Sequence, residues 1–356
     1  MDTKNIFNAT DLLKKTVDFL TPKSLNLGLK KPKLRVIFMG TPEVAVPFLQ
    51  KIIEMENVVA VFTSPDLPAG RHMKVKESPI KIESAKNDIK VLQPNYLQDE
   101  KICKQIQALK PDLIITVAYG YKIPDIIINM PTFKSINIHF SLLPKYRGAA
   151  PVNWAIINGE KETGVSSFYL SSKMDAGDLI CQKKIPITDD DTSEILMAKL
   201  IDLGLEILDE TVTSIKTKTV SASKQDETAI ILTKKTSVFN APKLKKSDGK
   251  INWSLSNIEI FNRMRGLVSW PGAYTHIDSA DNLLLLKMFE PKIHFSEEEG
   301  NIPGEILNIS KERGILVKCG SGAIWIKKVQ LEGHKVVSGY EFYVGRKIQK
   351  GDIFAN

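Results

Sequence analysis

From Leu34 onward the chain alternates short apolar runs with segments of helical spacing, and this alternation restricts the possible folds more than any other feature. Leu34-Arg-Val-Ile-Phe-Met39 is a compact apolar run closed by Gly40-Thr-Pro42, which predicts a buried strand ending in a tight turn. Residues 43–54 follow, with Val46, Leu49, Ile52 and Ile53 on one helical face. Residues 58–63, 90–92, 113–118 and 135–139 predict four more strands, with helices over 102–109 and about 192–215. Parallel neighbours need helical crossovers, and strands covered on both faces read as unbroken apolar runs. The pattern therefore predicts an α/β fold: a Rossmann-like, doubly wound, mostly parallel sheet that binds its ligands at the carboxyl ends of the strands. Gly40 and Gly70 do not complete GxGxxG, so a nicotinamide dinucleotide site is not expected.

Beyond Lys250 the pattern changes to short strands separated by glycine turns, at 283–288, 304–307, 314–319 and 323–329. That predicts a small C-terminal β-barrel, OB-like, over 251–356. With an α/β domain over 34–215, a segment over 216–250 and an extension over 1–33, the 356 residues are accounted for.

The net charge of +8 is unevenly distributed. Residues 216–250 hold nine Lys against Asp226, Glu227 and Asp248, whereas 34–215 hold 20 basic and 23 acidic residues. A concentrated basic linker is what a polyanionic partner prefers. Residues 1–33 contain seven Lys, no Arg and three Asp, and they lack a continuous apolar stretch. They are read as an extension with a short amphipathic helix over 8–20, not as a transit or signal peptide. Cys103, Cys181 and Cys319 are far apart, which suits a reducing cytoplasm and argues against a zinc knuckle. The five His are dispersed, so no metal is expected, and no run reaches the ~18 apolar residues of a membrane span.

The candidate chemistry lies in Asn137-Ile-His139, whose polar side chains share one face of a strand. Asp175 sits 36 residues after His139 in Met174-Asp-Ala-Gly-Asp178, a loop able to return to the imidazole. Such a set suits acyl-type transfer to an amine. The carboxylate orients and charges the imidazole, and the amide donates to an oxygen that gains negative charge. The amine attacks for itself, so no Ser or Cys nucleophile is required.

Asn137, His139 and Asp175, with Ser141-Leu-Leu-Pro144 and Tyr146-Arg-Gly-Ala-Ala-Pro151, resemble the folate-dependent formyltransferases. The resemblance implies 10-formyltetrahydrofolate as formyl donor. It also implies Asn137, His139 and Asp175 as the catalytic trio, and Ser141, Leu142, Leu143 and Pro144 as the folate-binding loop. Phe38-Met-Gly-Thr-Pro42, Pro65-Asp-Leu-Pro-Ala-Gly-Arg71, Val117-Ala-Tyr-Gly120, Ala241-Pro-Lys-Leu244 and Lys250-Ile-Asn-Trp253 are similar to the branch that formylates initiator methionyl-tRNA. That branch implies tRNA contacts by Arg71, Lys74 and Lys76, a tRNA-binding role for the barrel, and action as a cytoplasmic monomer. Leu67 stands where the pattern has Arg, His72-Met73 where it has Gly-Lys, and 230–236 read as an insertion. Three other readings stay open: formylation of an amino-sugar nucleotide, hydrolytic release of formate, and a non-catalytic RNA-binding module.

Overall fold

In the computed structural model, strand β1 (Arg35–Gly40) shows why the sheet is covered twice. Val36 and Phe38 enter one core, Ile37 and Met39 the other, and all four are fully buried. Successive side chains point to opposite faces, so an unbroken apolar run is satisfied only between two layers. Helix α1 (Val46–Met55) follows a 3-10 turn at Glu43–Ala45 and packs Phe48, Leu49 and Ile52 into the first core. Each such side chain contributes roughly 1.5–3 kcal/mol on burial.

The chain continues through β2 (Asn57–Phe62), the hairpin β3 (Leu67–Ala69) and β4 (Lys74–Lys76), α2 (Pro79–Lys86), β5 (Val91–Leu92), α3 (Glu100–Ala108) and β6 (Leu113–Val117). Next come α4 (Asp125–Ile128), β7 (Ser135–His139), β8 (Arg147–Gly148), α5 (Pro151–Ile157), β9 (Glu162–Tyr169), β10 (Leu179–Pro186) and α6 (Ser193–Thr217). The main sheet has the order β10-β9-β7-β6-β1-β2-β5. β9 runs antiparallel to β7 and β10 antiparallel to β9, while every other pair is parallel, so the expected mostly parallel, doubly wound sheet is what forms. Several elements had no clear sequence signal, α2 and β9 among them. α2 buries Ile80 among polar residues, and β9 carries Thr163, Ser166 and Ser167 at buried positions.

After β11 (Asn240–Ala241), α7 (Asn257–Gly266) begins with a reciprocal cap: the Ser256 hydroxyl accepts from Glu259 N, and Glu259 accepts from Ser256 N. Strands β12 (Tyr274–Ser279), β13 (Asn282–His294), β14 (Ile306–Ser310), β15 (Gly314–Lys318), β16 (Ala323–Leu331) and β17 (Val337–Ser338) precede α8 (Gly339–Arg346). They form an antiparallel sheet of order β12-β13-β16-β15-β14, with β17 on β16. The end of the chain joins its two edges. Ile306 N donates to Asp352 O, Phe354 N to Gly304 O, and Ala355 N to His276 O (2.8, 2.9 and 3.1 Å). The sheet is thereby closed into a barrel around Trp253, Leu286, Ile315, Ile324 and Ile326.

α5 and α7 hold the two halves together: Asn153 Nδ2 donates to Gly266 O (2.8 Å), and the buried Arg265 donates to Thr188 O (2.5 Å) and Asp191 O (3.1 Å). The described residues are 32–69, 74–228, 240–279, 282–295, 302–346 and 348–355. Leu34–Asn356 is one structural unit and Met1–Lys33 another; the helix expected over 8–20 and the insertion at 230–236 lie outside the described residues. Among the described residues no helix is long and apolar enough to cross a membrane.

Candidate functional site

The carboxyl ends of the central strands are tied to one another. The Thr41 hydroxyl, just after β1, donates to Tyr119 O beyond β6 (3.1 Å) and accepts from Ser64 N beyond β2 (3.3 Å). β7 ends at the same edge, where doubly wound sheets place their ligands.

Asn137 and His139 stand two apart on β7 and therefore project from the same face. The Thr116 hydroxyl donates to Asn137 Oδ1 (2.7 Å), which leaves the amide hydrogens without an acceptor among the described residues. His139 is 6% exposed, with its ring edge-on to Phe168. His139 Nε2 lies 2.9 Å from Tyr146 O, and Nδ1 lies 3.9 Å from Asp175 Oδ2. Both neighbours are acceptors. Nε2 therefore carries the hydrogen that bonds Tyr146 O, and Nδ1 faces the carboxylate. The loop of Asp175 does return to the imidazole, at a separation longer than a hydrogen bond.

The backbone supporting this geometry is unusual. Tyr146 and Asp175 adopt φ of 60° and 50°, in the left-handed region that non-glycine residues seldom enter. Such conformations persist only where surrounding bonds over-determine them. For Asp175 those bonds are visible: Gly148 N donates to its Oδ2 (2.8 Å), and Gln225 Nε2 donates to both Asp175 O (2.8 Å) and Gly177 O (2.9 Å). Tyr146 is anchored through its hydroxyl, which donates to Glu160 Oε1 (3.0 Å) and accepts from Asn158 (3.2 Å). Burial, with Glu160 alongside, pushes that phenol well above its ordinary range, so it stays a donor.

Gly148 is the junction of three segments. Its φ of 124° suits glycine, and a Cβ there would lie 2.6 Å from Ala241 O. Ala149 N and Ala150 N both donate to that carbonyl, and Trp154 Nε1 donates to Pro242 O (2.9 Å). The Ala241-Pro-Lys-Leu block is thus built into the rear of the site.

The Ser141–Pro144 loop is rigid. The Ser141 hydroxyl donates to Lys145 O (2.7 Å), Ser166 Oγ donates to Ser141 O (2.6 Å), and Gln182 Nε2 donates to Leu143 O (3.1 Å). Ser141 and Leu143 are buried, whereas Leu142 and Pro144 are half-buried. Of the residues expected to meet tRNA, Lys76 is exposed at the end of β4 and Lys74 lies on the same strand, while Arg71 lies outside the described residues.

Nothing in the sequence marks Ser166, Gln182 or Gln225. Ser166 and Gln182 lie on strands whose polarity gives no functional signal, and Gln225 sits in the stretch read as a basic linker. That stretch is not a plain spacer: Lys216 pairs with the buried Glu56 (2.6 Å), and Ser223 exchanges backbone bonds with Leu179. Concavities of about 430 and 350 Å³ lie on the C-terminal half, near Trp325 and near Phe342; neither is lined by Asn137, His139 or Asp175.

Residues 33–212 match the family described as formyl transferase, and residues 243–347 match the formyl transferase C-terminal domain. A methionyl-tRNA formyltransferase of Geobacter sulfurreducens is 42% identical over 319 residues, covering 89% of this chain and 96% of the relative. One of Alkaliphilus oremlandii is 39% identical, covering 90% and 99%. Among solved structures, HypX from Aquifex aeolicus in complex with tetrahydrofolic acid shares the fold at TM-score 0.58 and 18% identity. That match covers 91% of this chain and about half (51%) of HypX. An N-formyltransferase from Helicobacter canadensis, in complex with folinic acid and dTDP-3-aminofucose, matches at TM-score 0.56 and 20% identity, covering 82% and 98%. With both of its halves matched and its length spanned by such relatives, the chain belongs to the formyl transferase family.

Proposed function

We propose that this chain transfers the formyl group of 10-formyltetrahydrofolate to the α-amine of initiator methionyl-tRNA. The observation that carries the reading is the return of Asp175 to within 3.9 Å of His139, at the strand end that also presents Asn137. The acceptor is supported by the methionyl-tRNA formyltransferases aligned along nearly the whole chain, and the donor by the family itself.

The folate supplies a formyl carbon open to attack by an amine. The Asn137 amide is placed to donate to the oxygen on which negative charge grows. His139 donates from Nε2 to Tyr146 O, which fixes the ring, and turns Nδ1 toward the Asp175 carboxylate at the same strand end. The Ser141 hydroxyl is committed to Lys145 O, so the loop meets the donor through its backbone and the apolar surfaces of Leu142 and Pro144. Holding two substrates together in attacking geometry supplies much of the acceleration.

Arg71, Lys74 and Lys76 contact the tRNA backbone, a positioning role. Lys243, Lys245, Lys246 and Lys250, exposed between the two halves, extend that track. Residues 34–215 then form the catalytic domain, 216–250 the basic connection and 251–356 the tRNA-binding barrel of a cytoplasmic monomer.

The test is incubation with 10-formyltetrahydrofolate and either charged initiator tRNA or an amino-sugar nucleotide. Formylmethionyl-tRNA is the expected product; formylation of the sugar alone, or release of formate alone, would reassign the acceptor. Asn137→Ala should lower turnover by roughly 10²–10³-fold with the fold intact. His139→Ala should behave alike, and near-normal formylation by either would remove the assignment.

A further inference from the structure

We propose that Gln225 is a positioning residue for the transfer reaction, holding the Asp175 carboxylate in register with His139 without touching either substrate. The inference rests on the reading that Asp175 works with His139. Gln225 is only 9% exposed, and its whole hydrogen-bonding capacity is spent on the site. Its amide hydrogens go to Asp175 O and Gly177 O, the backbone of the loop that carries the carboxylate. Its carbonyl oxygen accepts from Arg147 Nη2 (2.6 Å) and Nε (3.2 Å). Arg147 precedes Gly148, whose N–H binds the Asp175 carboxylate directly.

One side chain thus grips both pieces that fix Asp175: the loop bearing it and the strand supplying its donor. The two-way backbone bridge between Ser223 and Leu179 delivers Gln225 to that spot, and Glu227 Oε1 accepts a second bond from Arg147 Nη2 (3.0 Å). Asp175 makes no hydrogen bond to His139 at 3.9 Å, so its register depends on these outer supports rather than on the imidazole. Its left-handed backbone also needs external bonds to persist.

The test uses the full chain with 10-formyltetrahydrofolate and charged initiator tRNA, comparing Gln225→Leu, Gln225→Glu, Asp175→Asn and the double variant Asp175→Asn/Gln225→Leu. Gln225→Leu removes every bond. Gln225→Glu keeps the Arg147 partner but sets an acceptor where both donors to the loop stood. Each should lower kcat by roughly 10- to 100-fold, the scale of a misplacement of about 1 Å, with KM for both substrates within about twofold. If Gln225 acts through Asp175, Gln225→Leu should cost nothing more once Asp175→Asn is present. A kcat within twofold of wild type in both Gln225 variants, or a full additional loss in the double variant, overturns the proposal while leaving the site reading in place. Near-normal turnover by Asp175→Asn alone overturns both.

Discussion

Gly148→Ala tests whether the rear wall of the site is as tightly built as it looks. The added Cβ would sit 2.6 Å from Ala241 O and 3.1 Å from Ala241 C, at a φ of 124°. The obstacle is backbone, so no rotamer change relieves it, and β11 must move away from β8. Forcing a β-carbon into this region costs of order 1–3 kcal/mol. The Ala149 and Ala150 bonds to Ala241 O would weaken together, at roughly 0.5–1.5 kcal/mol for each bond lost. The expected destabilisation is therefore about 2–6 kcal/mol, mostly below the ~5–15 kcal/mol that typically holds a domain together. The variant should remain folded in buffer. Urea unfolding followed by tryptophan fluorescence measures the loss, and Trp154, bonded to Pro242 O beside the moved carbonyl, lies where the change is greatest. Because Gly148 N is the donor to Asp175 Oδ2, single-turnover formyl transfer should also slow by roughly 10- to 100-fold. Wild-type stability together with wild-type turnover would refute the close packing of these three segments.

Two further outcomes are expected. Burial pushes the Asp191 carboxyl up, but Lys199, the Thr188 N–H and the Thr188 hydroxyl together outweigh it and hold the group below its ordinary value. A carboxyl lowered in this way stabilises the fold fully above its unfolded value of about 3.9 and loses that contribution as pH falls through the folded value. Asp191→Asn should be less stable than wild type at neutral pH and should lose less on acidification below about pH 4; parallel urea midpoints across that range would contradict this. Replacing the exposed Lys243, Lys245 and Lys246 by Gln should weaken tRNA binding and flatten its dependence on log salt by roughly 0.7–0.9 per phosphate contact removed. An unchanged slope would mean that these lysines do not face the tRNA.

The sheet was legible because β1 carries apolar residues at consecutive positions. A strand with Val36, Ile37, Phe38 and Met39 cannot expose either face, so helices had to cover both. The pairing of Asn137 with His139 was legible for an equally local reason, the two-residue repeat of a strand. α2 was not legible, since its single buried aliphatic, Ile80, sets no period. β9 was hidden by the buried Thr163, Ser166 and Ser167; the Ser166 hydroxyl braces the loop at Ser141 and that of Ser167 the neighbouring helix at Thr211.

Chain order alone therefore settled the class of sheet and the existence of a second β domain, because those follow from periodicities of two to four residues; Asp175 joined Asn137 and His139 as a candidate through a distant loop and a family resemblance, which no local period marks. Tertiary structure decided what the trio can use. Gln225 meets the Asp175 loop across 50 positions, Gly148 reaches the Asp175 carboxylate across 27, and residues 352–355 close a barrel whose first strand begins at Tyr274. Most of these bonds end on backbone N–H and C=O groups, which nearly every residue carries, so composition does not mark them and only the folded path brings the right ones together.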